Sequence, residues 1–176
     1  MPKKNEKKFT NRRVKAIYLT SLVSFATTFL TFLMVFIFGN TTLSYFILFS
    51  AIVFLTSAIM AKNEMAKTAR VIFLLMFNIF FTFLASLLGK EASLDFFFIF
   101  AIGLPYAFFS FTRELYKIIF FSALTFLFWL FLYITKFEPI INLEINNSHN
   151  ISNIVYHVSI TTTLLLVVFQ LIYYSY

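Results

Sequence analysis

The sequence contains no cysteine and few charged residues, and both shortages narrow the range of functions. Without cysteine there is no disulfide, no thiolate zinc site, no iron–sulfur cluster and no thiol nucleophile. Only 12% of the 176 residues are charged, whereas soluble domains average roughly 25%. Hydrophobic residues make up 61% of the chain, and 28 residues are Phe. This composition predicts a membrane protein, with the lipid bilayer as its first partner.

Familiar catalytic motifs are missing from the sequence as well. It has no HExxH zinc motif, no Gly-rich phosphate loop, no nucleophile elbow and no intramembrane lysine for a Schiff base. The two histidines, His149 and His157, do not favour haem ligation from two helices. We therefore expect no cofactor and no metal, and a chain that binds, senses or conducts. A membrane enzyme acting on lipid is a third class, for which no acid–base cluster is recognisable.

Six apolar stretches are long enough to cross a membrane. A hydrocarbon core about 30 Å thick needs roughly 20 apolar helical residues. The predicted fold is an all-α, polytopic bundle of six transmembrane helices over residues 17–176, with a basic cytoplasmic tail at residues 1–16 and an outer loop at residues 136–152 that can cap the bundle. The predicted spans are residues 17–38, 43–61, 71–88, 94–112, 118–135 and 154–174.

Basic residues predict the orientation of the bundle. Seven of the 14 lie in the first 15 residues, directly before an apolar block, so they indicate a membrane-flanking segment and not a nucleic-acid partner. Twelve basic residues fall on the side of the N-terminus and two, Lys90 and Lys136, on the other side. Both termini are therefore expected in the cytoplasm. The Phe, Ile, Lys and Asn bias suggests an AT-rich bacterial genome, and hence the bacterial inner membrane.

The stretch "LLGKEASLDFFF" places three charges between two apolar blocks. Gly89 is expected to end the third helix and Ser93 to be the N-cap of the fourth. Glu91 and Asp95 would then complement the positive end of that helix, with Lys90 at the head groups. Alternatively, the two carboxylates, four residues apart, point into the bundle and line a ligand site. The sequence leaves both interpretations open.

Four further residues are candidates for a function. Asn78 is central in the third span, where an interhelical hydrogen bond or a ligand contact is expected. His157 lies in the first outer turn of the sixth span and could pair with Glu91 or Asp95, or have no role. Gly103 and Pro105 are expected to kink the fourth span, either as packing or as a hinge, because proline removes a backbone hydrogen bond.

One stretch resembles a known class of membrane region. The run "GKEASLDFFFIFAIGLPYAFFSFTREL", followed by a last span ending "LLLVVFQLIYYSY", is similar to the six-span N-terminal input region of some bacterial histidine kinases and class III nucleotide cyclases. The residues that match its pattern are Gly89, Lys90, Glu91, Ala92, Leu104, Pro105, Arg113 and Glu114. The resemblance implies a homodimer and a C-terminal kinase or cyclase output domain that this chain lacks.

Two functions follow as expectations. The first is a membrane-embedded sensor domain that binds a small apolar or amphipathic ligand and changes the position of the sixth span. The second is a small self-contained transporter or channel subunit, with Asn78, Glu91, Asp95 and His157 along its path. The absence of a visible inverted repeat, and a Gly/Pro interruption in only one span, count against the second.

Overall fold

The described parts of the chain are mostly helical and contain no strand. A computed structural model describes residues 4–37, 41–63, 65–139 and 148–175. The helices are α1 (Lys4–Ile37), α2 (Thr41–Lys62), α3 (Ala66–Leu88), α4 (Phe96–Phe108), α5 (Leu115–Ile134) and α6 (Ser148–Ser175), and a short 3-10 helix (Lys90–Ala92) connects α3 to α4. The all-α prediction is confirmed.

Among the residues that the structure describes, four helices have the length and apolarity that a membrane crossing requires. They are Arg12–Ile37 within α1, together with α2, α3 and α5. Helix α4 has only 13 residues, which gives a length of about 20 Å. Among the residues of α6 that the structure describes, the apolar stretch is Val155–Val168. The structure thus agrees with a polytopic membrane protein, whereas the count of six spans and the orientation remain predictions.

Two helices begin before their apolar segments. Within the predicted tail at residues 1–16, α1 begins at Lys4 and runs unbroken into the apolar segment, and the division into tail and bundle remains a prediction. Helix α6 begins at Ser148, which shortens the loop predicted at residues 136–152. Hydropathy marks only the apolar part of a helix, so it does not detect the polar first turns of either helix. In α1 these turns contain Lys, Glu and Arg, which are good helix formers, and in α6 they contain Ser148, His149 and Asn150. Residues 140–147, on which much of the predicted cap falls, lie outside the described chain.

Helix α4 is at the centre of the bundle. It contacts α1, α3, α5 and α6, while α2 lies against α1 and α3. Helix α5 packs on α3 and α4, and no Cα atom in the described part of α5 lies within 8 Å of one in the described part of α6. We call the end that carries residues 89–95 the turn end. The opposite end, with residues 62–70 and 110–117, is the basic end.

Phenylalanine rings from α2, α3 and α4 form the core. Phe81 stacks on Phe97 with ring centroids 4.1 Å apart, and Phe54 lies 5.4 Å from Phe73. Phe77 has ring contacts to all four of them. Lipid tails are as apolar as these rings, so close packing, more than exclusion from water, holds them together.

Small hydroxyl side chains join the first three helices. Ser21 Oγ of α1 donates to Ser57 Oγ of α2 at 3.2 Å. Ser57 Oγ in turn donates to the Ala69 carbonyl of α3 at 2.9 Å. Ser57 is fully buried, as are Ser50 and Ala51 on the same helix. Such small residues let helix backbones approach closely in a membrane.

Candidate functional site

The turn between α3 and α4 agrees with one prediction and corrects another. Gly89 follows the last residue of α3 with φ of 73°, and its N–H donates to the Ala85 carbonyl, as predicted for a helix end. Ser93 is not the N-cap of α4. It adopts a left-handed conformation (φ 50°, ψ 32°) that closes the 3-10 helix, and Asp95 holds the N-cap position. The chain buries Leu94, 2% exposed, before the helix begins.

The two carboxylates of this turn are only partly described. Asp95 is half-buried, and its side chain makes no capping hydrogen bond to α4. Lys90 is exposed, and the side chain of Glu91 lies outside the described residues. A shared face for Glu91 and Asp95 therefore remains a prediction.

His157 lies on α6, at the same end of the bundle. Helix α6 packs against the 3-10 helix, so the structure brings the two predicted regions together. His157 itself is exposed, and its ring meets the edge of Tyr156 at 5.3 Å. Among the described side chains, no ion pair joins His157 to Asp95.

Asn78 is fully buried in α3. Its Nδ2 donates to the Leu74 carbonyl of the same helix at 2.8 Å. This hydrogen bond lies within α3 and is not the expected interhelical one. Its Oδ1 has no partner within the described part of the chain, and neither does Thr82 Oγ1 one turn later. Asn78 and Thr82 thus leave two buried acceptors on one side of α3.

Helix α4 runs unbroken through Gly103 and Pro105, which is buried. Ser122 of α5 donates its hydroxyl to the Ile102 carbonyl at 3.1 Å, next to the stretch where proline removes a backbone N–H. Serine thus ties the proline-containing turn to α5. The hinge at Gly103 and Pro105 remains a prediction.

A hydroxyl-lined cavity near the turn end was not predicted. It has a volume of about 30 Å³ and lies between α1, α3, α4 and α6. Five hydroxyl residues form its polar lining, and its other lining side chains are apolar. The hydroxyl residues are Thr27, Thr28, Thr31, Ser159 and Thr162. A space of this size holds one water-sized group if it offers two to four polar partners. We call it the hydroxyl cavity.

Hydroxyl oxygens that line the hydroxyl cavity can accept further hydrogen bonds. Thr27 Oγ1 donates to the Val23 carbonyl at 3.0 Å, and Thr31 Oγ1 donates to the Thr27 carbonyl at 2.9 Å. Each hydroxyl oxygen keeps a lone pair for another group. Ser159 is 1% exposed, and its Oγ has no partner in the described region. A ligand hydroxyl or amine could therefore bond at this point.

A sequence signal for this cavity does exist. The strings "TTFLT" at 27–31 and "SITTT" at 159–163 place hydroxyls three and four residues apart, on one face of each helix. What the sequence does not show is that α1 and α6, the first and last helices, share a cavity with α4.

Glu114 interacts with three other residues at the basic end. Its Oε1 accepts from Lys117 Nζ at 2.9 Å, and its Oε2 accepts from the Ser110 N–H at 3.2 Å. Arg70 Nη1 lies 3.7 Å from the same Oε2. Burial alone would raise the pKa of Glu114, but these hydrogen bonds and positive charges outweigh it, and the pKa lies below its ordinary value.

No protein-family model, curated protein or solved structure matches this chain. The resemblance of residues 89–115 to bacterial input regions rests on the motif quoted above. Within the described residues, no group of three His, Asp or Glu side chains could hold a metal ion. The function is therefore inferred from the geometry of the turn end and the basic end.

Proposed function

We propose that this chain is the membrane-embedded input domain of a bacterial signalling receptor. It crosses the inner membrane six times, keeps both ends in the cytoplasm and binds a small amphipathic molecule near the turn end. The observation that carries the proposal is the hydroxyl cavity, because α6, the last helix, forms one of its walls. A ligand there acts directly on the helix that leads to an output domain.

The contacts of the α4–α5 connection support a crossing by the short helix α4. Glu114, just before α5, lies beside Arg70 in the second turn of α3, whereas the 3-10 helix follows the far end of α3. The chain between Lys90 and Glu114 therefore returns along most of the length of α3. The 13 residues of α4 cover about 20 Å, and the extended Phe109 and the flanking turns add the rest.

The size and lining of the hydroxyl cavity define the class of ligand. A volume of about 30 Å³ accepts a hydroxyl or amine group but not a whole molecule. The apolar remainder of the ligand must then separate α6 from its neighbours. The described parts of α6 pack on α1, α3, α4 and the 3-10 helix, so such a ligand would displace α6 relative to these elements. Binding thus favours a displaced position of α6.

The predicted residues of the turn lie next to this cavity along the chain. Leu94 and Val155 line it, and Asp95 and His157 follow them by one and two residues. We propose that Asp95, Glu91 and His157 select ligands at its mouth. Asn78, which does not line the cavity, is a weaker candidate. The resemblance also implies that two copies of the chain form a homodimer.

The reading frame after Tyr176 gives the first test. A helical linker followed by a kinase or cyclase domain is expected. A stop codon directly after Tyr176 would overturn the receptor proposal and favour the self-contained transporter.

The second test replaces hydroxyls in the intact receptor. Thr162→Val keeps the shape of a cavity-lining residue and removes its hydroxyl, so it should shift the concentration of ligand that gives half-maximal output. Thr56→Val is the matched control, since Thr56 is exposed on α2 and does not line the cavity. Equal responses from the two variants would contradict a ligand site at the cavity.

A further inference from the structure

We propose that the basic end contains a second site, which binds a phosphate-bearing anion. Either the headgroup of an anionic lipid or a soluble phosphate could supply this group. The site is a cleft of about 860 Å³ between α1, the α2–α3 connection and the α4–α5 connection. It is separate from the hydroxyl cavity and does not depend on the signalling proposal.

Positive charge dominates the lining of the cleft. The described residues that line it include five basic side chains and one acidic side chain, Glu114. The basic ones are Arg13, Lys62, Lys67, Arg70 and Arg113. Glu114 is already bonded to Lys117, which is not a lining residue. The carboxylate is thus shared with a sixth cation, and the cleft keeps an excess of positive charge that an anion would neutralise.

Arg70 gives the site a fixed element. It is 6% exposed, unlike most arginines, which are solvated. Its guanidinium lies 5.9 Å from the centre of the Phe109 ring and beside Glu114. A cation held in this way loses little freedom when it binds a ligand, which favours affinity. Guanidinium groups also match the oxygens of a phosphate through paired hydrogen bonds.

The backbone of α3 adds to the attraction. Ala66, Lys67 and Thr68, the first three residues of this helix, line the cleft. N–H groups in a first helical turn have no partner within the helix and carry partial positive charge. They supplement the five basic side chains.

The position of the cleft explains access by lipid. It opens at the ends of α2 and α3 and just before α5, three of the helices that are long and apolar enough to cross the membrane. The basic groups therefore lie at headgroup depth. Basic pockets between transmembrane helices on the cytoplasmic side are suited to anionic headgroups, and the volume suffices for a glycerol phosphate.

The test uses the whole chain and a double variant, Lys67→Gln with Arg113→Gln. Both side chains are exposed in the cleft, so their replacement should leave the helical circular dichroism unchanged. The control variant, Lys15→Gln with Lys136→Gln, removes the same number of charges from exposed residues that do not line the cleft. Net charge is then equal in the two variants.

Two probes distinguish the sources of the anion. Retention of phosphatidylglycerol is measured by native mass spectrometry after extraction from mixed phosphatidylcholine and phosphatidylglycerol vesicles. Binding of inorganic phosphate is measured by calorimetry in phosphatidylcholine nanodiscs. Loss of two surface cations should weaken binding of the preferred probe about tenfold or more, while the control binds like the wild type.

Each outcome decides the question. A selective loss of phosphatidylglycerol in the cleft variant identifies the lipid headgroup as the ligand. A selective loss of phosphate binding identifies a soluble ligand. If neither probe binds the wild type, or if both variants lose binding equally, there is no specific anion site in the cleft.

Discussion

Replacing Glu114 by Gln tests the assembly of the basic end. The side chains of Arg70 and Glu114 are 7% and 19% exposed, so water solvates these charges poorly. Loss of one partner costs about 3–5 kcal/mol in a fully buried ion pair and about 0–1 kcal/mol in an exposed one. The N–O distance of 3.7 Å is long, and the amide of Gln can still accept hydrogen bonds. We therefore expect Glu114→Gln to lower the free energy of unfolding by about 1–3 kcal/mol.

The effect should depend on pH with a definite sign. The pKa of Glu114 is lower in the folded protein than its ordinary value, in spite of burial, because Lys117, Ser110 and Arg70 favour the charged form. A carboxyl group of this kind stabilises the fold above its unfolded pKa of about 4.3 and loses that contribution as the pH falls through the folded pKa. Wild type and Glu114→Gln should therefore converge in acid.

Thermal unfolding in a neutral detergent, followed by circular dichroism between pH 7 and pH 3 (about the range in which a carboxyl titrates), measures this difference. Glu138→Gln is the matched control, because Glu138 is exposed and has no ion pair among the described side chains. The reasoning is refuted if Glu114→Gln is as stable as the wild type at neutral pH. A stability difference that does not change with pH would refute it equally.

Three further changes probe packing and backbone, each by the same melting experiment. Phe77→Ala leaves a cavity among five rings and should lower the free energy of unfolding by about 2–4 kcal/mol, less than in a water-soluble core because lipid is also apolar. Phe111 is 63% exposed, so the control Phe111→Ala should change it by no more than about 0.5 kcal/mol. Equal losses in the two variants would contradict the packing account. Gly89→Ala meets no atom within 4 Å, so only backbone strain should appear, about 1–3 kcal/mol, because a φ of 73° with a ψ of −176° is a conformation that essentially only glycine adopts. An unchanged midpoint would contradict this strain. Ser57→Ala breaks the link from Ser21 to Ala69 and should cost about 1 kcal/mol; an unchanged midpoint would show that the link is dispensable.

The sequence predicts local features of this chain well. Apolar length and composition identify α1, α2, α3 and α5, because a membrane helix satisfies its own backbone and depends little on its neighbours. Gly89 is predictable for a similar reason, since its positive φ is a local property of a helix end. These features require no knowledge of which helices meet.

Features that depend on tertiary contacts could not be predicted. The sequence predicts Ser93 as an N-cap, but Leu94 is buried and α4 begins two residues later than predicted, which leaves Ser93 in a left-handed turn. The hydroxyl cavity requires α1 and α6 to meet around α4, and the basic cleft requires three separate segments to converge. Neither juxtaposition is encoded in a single stretch of sequence. The roles of Asp95 and His157 remain predictions for the same reason.

The proposed input domain depends on α4 crossing the membrane, and the most direct measurement is thiol labelling at its two ends. The chain has no cysteine, so Lys90→Cys and Arg113→Cys each introduce a single thiol at an exposed residue before and after α4. An impermeant maleimide applied to intact cells should label the Lys90→Cys variant, and should label the Arg113→Cys variant only after the membrane is permeabilised. Equal labelling of the two variants in intact cells would place both ends of α4 on one side and contradict the six-span account.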